Sequence, residues 1–223
     1  HTIVFAAVVV PAWIILTLVI ASMIAPRLPR AQGRWMTLFY MTYLVSPVIL
    51  AIVWSWILDP SPAGLVNSVL ARADIDPVPW LSSGRLALAS VILSTVLTIP
   101  GSGVVMYAAA LSTLPRELYE AAELEGAGPV QRWWHVTVPL LRPTTLYLTV
   151  IYTIASFQVF ERVYIMTGGG PGGATSVLVE QIYTRAFLDF NFGTASAQSI
   201  VLLVLIAGVA WLQFRTLRSD VQY

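Results

Sequence analysis

Long apolar stretches alternate with short polar segments along this chain. Five of the apolar stretches reach the roughly 20 residues with which an α-helix crosses the hydrocarbon core of a bilayer. They run approximately from Ile3 to Ile24, Met36 to Leu58, Leu86 to Leu111, Thr144 to Met166 and Thr194 to Phe214. The pattern therefore predicts an all-α integral membrane protein with five visible transmembrane helices.

Three of these stretches contain a proline. Pro11, Pro47 and Pro100 fall within the first, second and third stretch. Proline removes a helical hydrogen bond, so we expect kinks at these positions, with freed carbonyls that a neighbouring helix or a water-lined path must satisfy. Bent helices suit a gated pathway, although each proline taken alone is equally consistent with packing.

The polar segment between the third and fourth stretches, residues 112–142, is rich in helix signals. Pro115 suits the first turn of a helix, and Gly126 and Gly128 end it. Pro129 then begins a second helix, which we expect to end at Pro139. The segment is predicted to form a helix, a tight corner and a helix, and a membrane protein presents such an insert to a partner in the water.

Composition agrees with burial in lipid and excludes several functions. The chain is 57% hydrophobic and 10% charged, against about 25% charged residues in a soluble domain. Its net charge of +1 argues against a nucleic-acid surface. All 12 basic residues are arginines, so a P-loop, which needs lysine, is impossible and the chain cannot be a P-loop ATPase by itself. Without cysteine, and with His1 and His135 far apart, the sequence offers no metal site and no catalytic group.

The arginines predict the orientation in the membrane. Eight lie in one set of loops and four in the opposite set: Arg27, Arg30, Arg34, Arg116, Arg132, Arg142, Arg215 and Arg218 against Arg72, Arg85, Arg162 and Arg185. The positive-inside rule places the first set and the C-terminus in the cytoplasm, with Asp74 and Gly170 outside. Because five spans then leave His1 outside, we expect a further span upstream.

The polar insert resembles the EAA loop of ABC importer permeases. The resemblance rests on Glu120-Ala121-Ala122 and on Gly126, Ala127 and Pro139 in the family's spacing. Glu125 stands where the family has aspartate, and Trp133 where it has phenylalanine. The resemblance implies that 112–142 is a cytoplasmic coupling loop seated in a cleft of an ATPase subunit. The implied contact residues are Glu120, Ala121, Ala122, Glu125, Gly126, Ala127 and Pro139.

A second segment, from Met166 to Ser199, resembles permeases of the carbohydrate-uptake branch of the same family. The resemblance implies one transmembrane permease domain over 1–223, with six core spans, in the cell membrane of a prokaryote. It also implies several partners: a homologous second permease, an ABC ATPase dimer that binds ATP and Mg, an extracytoplasmic substrate-binding protein and membrane lipid. The chain itself is expected to bind no cofactor.

Polar side chains within spans are candidates for the substrate path, because they are costly in lipid and usually face a cavity. Tyr152, Ser156 and Gln158 lie in the fourth stretch, and Ser102 lies beside Pro100 in the third. Hydroxyls, an amide and an aromatic ring suit a sugar, which offers hydroxyls and apolar ring faces. The alternative is that these groups bond their own backbone or a neighbouring helix.

The sequence therefore predicts the permease subunit of an ATP-driven, binding-protein-dependent importer for a sugar or oligosaccharide. Import of glycerol 3-phosphate or a glycerophosphodiester is the alternative, and the external arginines, which form no evident phosphate clamp, favour a neutral sugar. A secondary transporter would need ion-coupling acids or an inverted repeat, and a membrane enzyme would need a catalytic constellation. Neither feature is visible.

Overall fold

The chain is all-helical in the computed structural model, which describes residues 1–25 and 29–217 and contains no strand within them. The α-helices are α1 (Thr2–Ile24), α2 (Pro29–Leu44), α3 (Pro47–Ile57), α4 (Leu65–Ala71), α5 (Ala87–Leu97), α6 (Gly101–Ser112), α7 (Arg116–Leu124), α8 (Pro129–Arg132), α9 (Val138–Leu140), α10 (Arg142–Phe157), α11 (Glu161–Met166), α12 (Leu178–Tyr183) and α13 (Phe192–Leu217). Two π-helical turns, Trp133–Thr137 and Thr184–Leu188, follow α8 and α12. The predicted all-α class is confirmed. Arg27 and Arg218, used above for orientation, lie outside the described residues.

Two helices are each long and apolar enough to cross a membrane alone. They are α1, with a mean hydropathy of 2.9, and the first 25 residues of α13, with a mean hydropathy of 2.1. Two helix pairs qualify only if each pair is one broken span: Gly33–Leu44 with α3, and α5 with α6. The fourth predicted stretch is divided between α10 and α11 and does not qualify. Two of the five predicted spans are thus confirmed by length and composition, and the other three remain predictions.

The prolines differ in what they do to their helices. Pro47 is the first residue of α3, and Pro100 caps the start of α6. Helix breaks therefore occur at both positions, as expected for a residue that lacks an N–H and disfavours a helical conformation in its predecessor. Pro11, in contrast, lies inside α1, and the helix continues through it. Whatever kink this proline causes does not interrupt the helix.

The backbone contacts divide the chain into two compact units, each described by itself below. Unit 1 comprises His1–Ala12, Leu44–Thr98 and Tyr152–Val209. Unit 2 comprises Trp13–Tyr43, Ile99–Ile151 and Ala210–Tyr223. The polar insert 112–142 belongs wholly to unit 2, whereas the Gly-rich segment that follows α11 belongs to unit 1.

Unit 1 has an interior in which the short helix α11 packs against α3 and α5. Ala51, Val91 and Val163, one from each of these helices, are fully buried. Small and β-branched side chains at this contact allow the helices to approach closely. Much of α13 is different, because Ile200, Leu203 and other large apolar side chains on it are exposed. An exposed apolar helix of this length is what a lipid-facing span presents.

The loop between α3 and α5 is organised around one buried amide, that of Asn67 on α4. Its Nδ2 donates to the carbonyls of Asp59 and Val78, at 3.1 and 3.0 Å. Its Oδ1 accepts from the backbone N–H of Val78 and the indole N–H of Trp80, at 3.1 and 3.0 Å. Since the side chain of Asn67 is fully buried, these bonds fix the path of the loop.

Helices α6 and α10 each bury side chains within unit 2 and share one side-chain hydrogen bond. Val104, Tyr107 and Leu148 are buried there. The Tyr107 hydroxyl donates to the Thr145 hydroxyl at 2.9 Å, which satisfies the one polar group of that ring. At the start of α6, Gly101 lies so close to the carbonyl of Phe39 on α2 that any Cβ would collide with it.

The bonds of Asn67 predict a measurable loss on truncation. Asn67→Ala leaves the Trp80 indole and the Val78 backbone without their buried partners, which should cost about 2–4 kcal/mol of unfolding free energy. Ser68→Ala on the same helix is the matched control, because that hydroxyl bonds only the nearby Leu65 carbonyl. Thermal unfolding, with amide hydrogen exchange over residues 59–80, measures both effects. Wild-type exchange in Asn67→Ala would contradict the role given to this amide.

Candidate functional site

The polar insert forms two helical segments joined by an exposed corner. Helix α7 ends at Leu124, and Gly126 then takes a φ of +83°, a backbone conformation that residues with a Cβ adopt rarely. Gly128 precedes Pro129, which begins α8, and the Gln131 side chain accepts a bond from the Gly128 N–H at 3.1 Å. The predicted helix, corner and helix are therefore present.

The second half of the insert departs from the expected simple helix. After α8 the backbone takes a π-helical turn over Trp133–Thr137, and helical structure continues through Pro139 to Leu140. Pro139 therefore does not end the segment, in contrast to the prediction. Proline is accommodated because it lies in the first turn of α9, where its missing N–H costs least. A π-helical turn is uncommon and often marks a functional position.

The predicted contact residues lie on the outside of the insert. Glu120, Ala121, Glu125 and Gly126 are exposed, whereas Ala122, Ala127 and Pro139 are half-buried. The corner carries large exposed apolar side chains as well: Leu124 is 91% exposed and Val130 is 70% exposed. A Cβ added at Gly126 or Gly128 would meet no atom within 4 Å. The corner is thus an open surface with both acidic and apolar groups.

Three side-chain bonds hold the insert to itself and to α1. Arg132 on α8 pairs with Glu123 on α7 at 2.7 Å. The hydroxyls of Tyr119 on α7 and Thr137 in the π-helical turn lie 2.9 Å apart. The Trp133 indole N–H donates to the Ser22 hydroxyl on α1, also at 2.9 Å. The insert is therefore fixed at its base while its corner stays exposed.

Sequence analysis did not find the bond between Trp133 and Ser22. The two residues are 111 positions apart, and nothing in the local pattern relates them. A partial signal existed, because the indole N–H of a half-buried tryptophan usually has a partner. Trp134, whose ring meets that of Trp133 edge-on, is 59% exposed and points the insert's second aromatic group outward.

The substrate-path candidates fall into different surroundings. Tyr152 and Ser156 are both buried on α10, and their four-residue spacing places them on one helix face. Among the described residues, the Ser156 hydroxyl has no hydrogen-bond partner. Gln158 lies one residue beyond the end of α10 and is exposed, so it is not on that face. Ser102 is half-buried on α6 in unit 2, whereas the other three belong to unit 1.

A polar network that sequence analysis missed lies at the C-terminal end of α5, within unit 1. The Ser94 carbonyl accepts from the Thr98 hydroxyl at 2.8 Å and from the Arg162 guanidinium on α11 at 3.2 Å. The Thr98 hydroxyl in turn accepts from the indole N–H of Trp54 on α3 at 3.0 Å. The network occupies the last turn of a broken helix, where the Ser94 carbonyl also accepts the backbone N–H of Thr98 at 3.2 Å.

Comparison with known proteins places these features in a family. The family model described as binding-protein-dependent transport system inner membrane component matches residues 14–217. The chain is 33% identical over 223 residues to the sn-glycerol-3-phosphate transport system permease protein UgpA of Yersinia pestis bv. Antiqua, covering all of this chain and 75% of that protein. It is also 33% identical over 200 residues to the protein of that name from Agrobacterium fabrum, covering 89% of this chain and 68% of the relative.

Two solved structures share the fold. One is a bacterial ABC transporter involved in the import of the acidic polysaccharide alginate, with a TM-score of 0.81 and 25% identity over 97% of this chain and 78% of that chain. The other is the bacterial alginate ABC transporter in complex with alginate pentasaccharide-bound periplasmic protein. Its TM-score is 0.83, with 24% identity over 97% of this chain and 76% of that chain.

The bond between the insert and α1 generates a prediction. Trp133→Phe keeps a ring but removes the N–H, and Ser22→Ala removes the acceptor, so each should lower the free energy of unfolding by about 1 kcal/mol. The double variant should lose less than the sum, because the two changes remove one shared bond. Thermal unfolding of the four proteins measures this coupling.

Trp134→Phe serves as the control for that cycle, since its ring is mostly exposed. It should show no coupling with Ser22→Ala. Additive losses for Trp133→Phe and Ser22→Ala would mean that the bond contributes nothing to fixing the insert.

Proposed function

The chain belongs to the family of binding-protein-dependent transport system inner membrane components, as a permease subunit of an ABC importer, and we propose that it imports a sugar or oligosaccharide. In this proposal the chain lines part of a translocation path and receives its solute from an extracytoplasmic binding protein. ATP hydrolysis by separate subunits moves the permease through the polar insert. The chain is a transport component of the membrane and not a catalytic subunit.

One observation supports the coupling part of the proposal: the base of the polar insert is fixed, whereas its corner is exposed. The base is bonded to α1 through Trp133, and a Cβ added at Gly126 in the corner would meet no described atom within 4 Å. A segment that transmits force between subunits needs both a rigid attachment and an accessible contact surface. The exposed Glu120, Ala121 and Glu125, with the half-buried Ala122, Ala127 and Pro139 beside them, provide that surface.

We assign the open corner to an ABC ATPase dimer, which binds ATP and Mg while this chain binds no cofactor. Exposed Leu124 and Val130 supply apolar area for the contact, and exposed Glu120 and Glu125 supply charge. Interfaces combine apolar anchors with a polar rim in this way. A homologous second permease completes the path. The alginate transporter, which was crystallised with its periplasmic protein, supports a binding protein as the further partner.

The proposed topology has five spans in the visible chain and a cytoplasmic C-terminus. The two confirmed spans, α1 and α13, are joined in this scheme by three broken ones: α2 with α3, α5 with α6, and α10 with α11. The insert and the C-terminus then share the side of the membrane that carries more arginines. The Gly-rich segment after α11 and the loop around Asn67 lie on the opposite side.

The substrate class rests on the relatives and on polar groups in the proposed path. The relatives named above are permeases for sn-glycerol 3-phosphate, and the solved structures concern alginate, a polysaccharide. Buried Tyr152 and Ser156 on α10, exposed Gln158 beyond it and half-buried Ser102 on α6 remain the candidate contacts. The unbonded Ser156 hydroxyl supports this assignment best, because a buried hydroxyl without a partner is costly until a ligand bonds it. Import of glycerol 3-phosphate or a glycerophosphodiester is the second candidate.

The coupling proposal predicts a specific defect at the corner. Gly126→Asp adds charge and bulk at an exposed position without touching the spans, so ATP-driven uptake should fall at least about tenfold while the permease still reaches the membrane. Uptake and co-purification with the ATPase, measured side by side, test this. Normal uptake by Gly126→Asp would remove the insert from the coupling mechanism.

Two controls separate the causes of that defect. Gly126→Asn has nearly the size of aspartate and tolerates a positive φ, but carries no charge, so it isolates the effect of charge. Gly128→Ala lies at the same corner with a φ of −69° and open space around it, and it should transport normally.

The proposed topology predicts which positions an impermeant thiol reagent reaches. Because the chain has no cysteine, Asp76→Cys and Glu120→Cys each introduce a unique thiol at an exposed position. The reagent added to intact cells should modify position 76 and not position 120. Disrupted cells, in which both thiols should react, provide the control. Modification of position 120 alone in intact cells would reverse the orientation.

A further inference from the structure

Arg162 differs from the other arginines of the chain in its surroundings. Of the arginines whose side chains the structure describes, only Arg132 and Arg162 are half-buried, and the rest are exposed. Arg132 pairs with Glu123 at 2.7 Å. Arg162 forms no ion pair with any carboxylate among the described residues, including the neighbouring Glu161. Glu161 acts on the guanidinium electrostatically but makes no ion-pair contact with it. A half-buried guanidinium without a carboxylate in contact is expensive, and such groups in membrane proteins usually face a ligand path.

The bonds that Arg162 does make leave most of its donors available. One nitrogen, Nη1, donates to the Ser94 carbonyl at 3.2 Å and lies 3.5 Å from the Ser94 hydroxyl. A guanidinium has five N–H donors in a planar fork, which suits two oxygens of a carboxylate or a phosphate. The Ser94 carbonyl already accepts from the Thr98 hydroxyl, so the arginine is not needed to satisfy it.

One polar network lies beside Arg162 at the end of α5, and one buried hydroxyl without a described partner lies elsewhere in the same unit. The network from Trp54 through Thr98 to Ser94 holds the end of α5 in place beside the guanidinium. In the same unit, ahead of α11 in the chain, α10 carries the buried Ser156 hydroxyl, which has no partner among the described residues. Positive charge together with unbonded hydroxyl is the chemistry that an acidic sugar requires, whereas a neutral sugar would leave the charge unpaired.

The solutes of the related proteins agree with this chemistry. One set of relatives transports sn-glycerol 3-phosphate, and the structural relative imports an acidic polysaccharide. Both solutes are anions. We propose that Arg162, held at the broken end of α5, binds the anionic group of the transported solute, so that the substrate class is an acidic sugar or a sugar phosphate. This inference rests on the proposed function and replaces the preference for a neutral sugar that the external arginines gave.

The experiment uses the complete transporter with its partner subunits and binding protein. ATP-driven uptake is measured at limiting concentration for three solutes: maltose, glycerol 3-phosphate and an alginate oligosaccharide. The wild type should import a phosphate or a uronate and not maltose. Arg162→Gln should lower that uptake at least about tenfold. Arg162→Lys keeps the positive charge but loses the planar guanidinium. Its uptake should therefore lie between that of the wild type and that of Arg162→Gln.

The matched control is Arg185→Gln. Arg185 is exposed and pairs only with Asp189 at 2.8 Å, so its loss should leave uptake unchanged. Should Arg162→Gln fail to assemble, thermal stability of the purified complex is compared with and without inorganic phosphate. Phosphate should then raise the melting temperature of the wild type more than that of Arg162→Lys. An equal shift would overturn the proposal.

Four further outcomes distinguish the source of the anion, and separate failure of the Arg162 assignment from failure of the proposed function. A phosphate-preferring or a uronate-preferring wild type identifies which anion Arg162 binds, and either supports the proposal. ATP-driven import of maltose alone would contradict the proposal that Arg162 binds an anionic solute, but it would agree with the proposed function. Defects that vary with the anionic lipid content of the vesicles and not with the solute would assign Arg162 to a lipid headgroup instead. Absence of any ATP-driven uptake and of a co-purifying ATPase would overturn the proposed function itself.

Discussion

The need to satisfy backbone hydrogen bonds in lipid constrains the apolar part of this chain. A continuous helix such as α1 meets that need by itself, but α5 stops at Leu97 and α10 stops at Phe157. At the end of α5, the Ser94 carbonyl keeps its helical bond from the Thr98 N–H and also accepts from the Thr98 hydroxyl and the Arg162 guanidinium. Broken helices in a membrane are therefore places where polar side chains collect, and polar side chains in a membrane are what a solute path requires.

In the proposed coupling role, the polar insert follows a different constraint, since it meets water and transmits force. Its bonds run between side chains: Arg132 to Glu123, Tyr119 to Thr137, and Trp133 to Ser22. An exposed ion pair contributes little by itself, whereas the bond from Trp133 ties the insert to α1. The bonds at the corner stay within the insert, for example that from the Gly128 N–H to the Gln131 side chain. The proposed coupling element needs this combination of a fixed base and an exposed corner.

The sequence predicted the helical class and the insert, because both depend on local signals. Apolar runs of membrane length identified α1 and α13, and Pro115, Gly126 and Pro129 located the corner to within a residue or two. The break between α10 and α11 at residues 158–160 was not predicted, because residues 144–166 were interpreted as one apolar stretch. That stretch contains no proline or glycine that would indicate a break. The sequence did not predict that helical structure continues through Pro139. A π-helical turn precedes this proline, and no residue pattern indicated such a turn.

The tertiary bonds could not be predicted, and the roles of individual polar residues depend on them. Thr98 bonds its own helix and the Trp54 indole. Ser156, of the same chemical type, is buried with no bond among the described residues. Arg132 and Arg162 differ in the same way, one paired and the other without a carboxylate. Residue type thus identifies candidates, whereas the partner that is present or missing separates a structural group from one available to a solute.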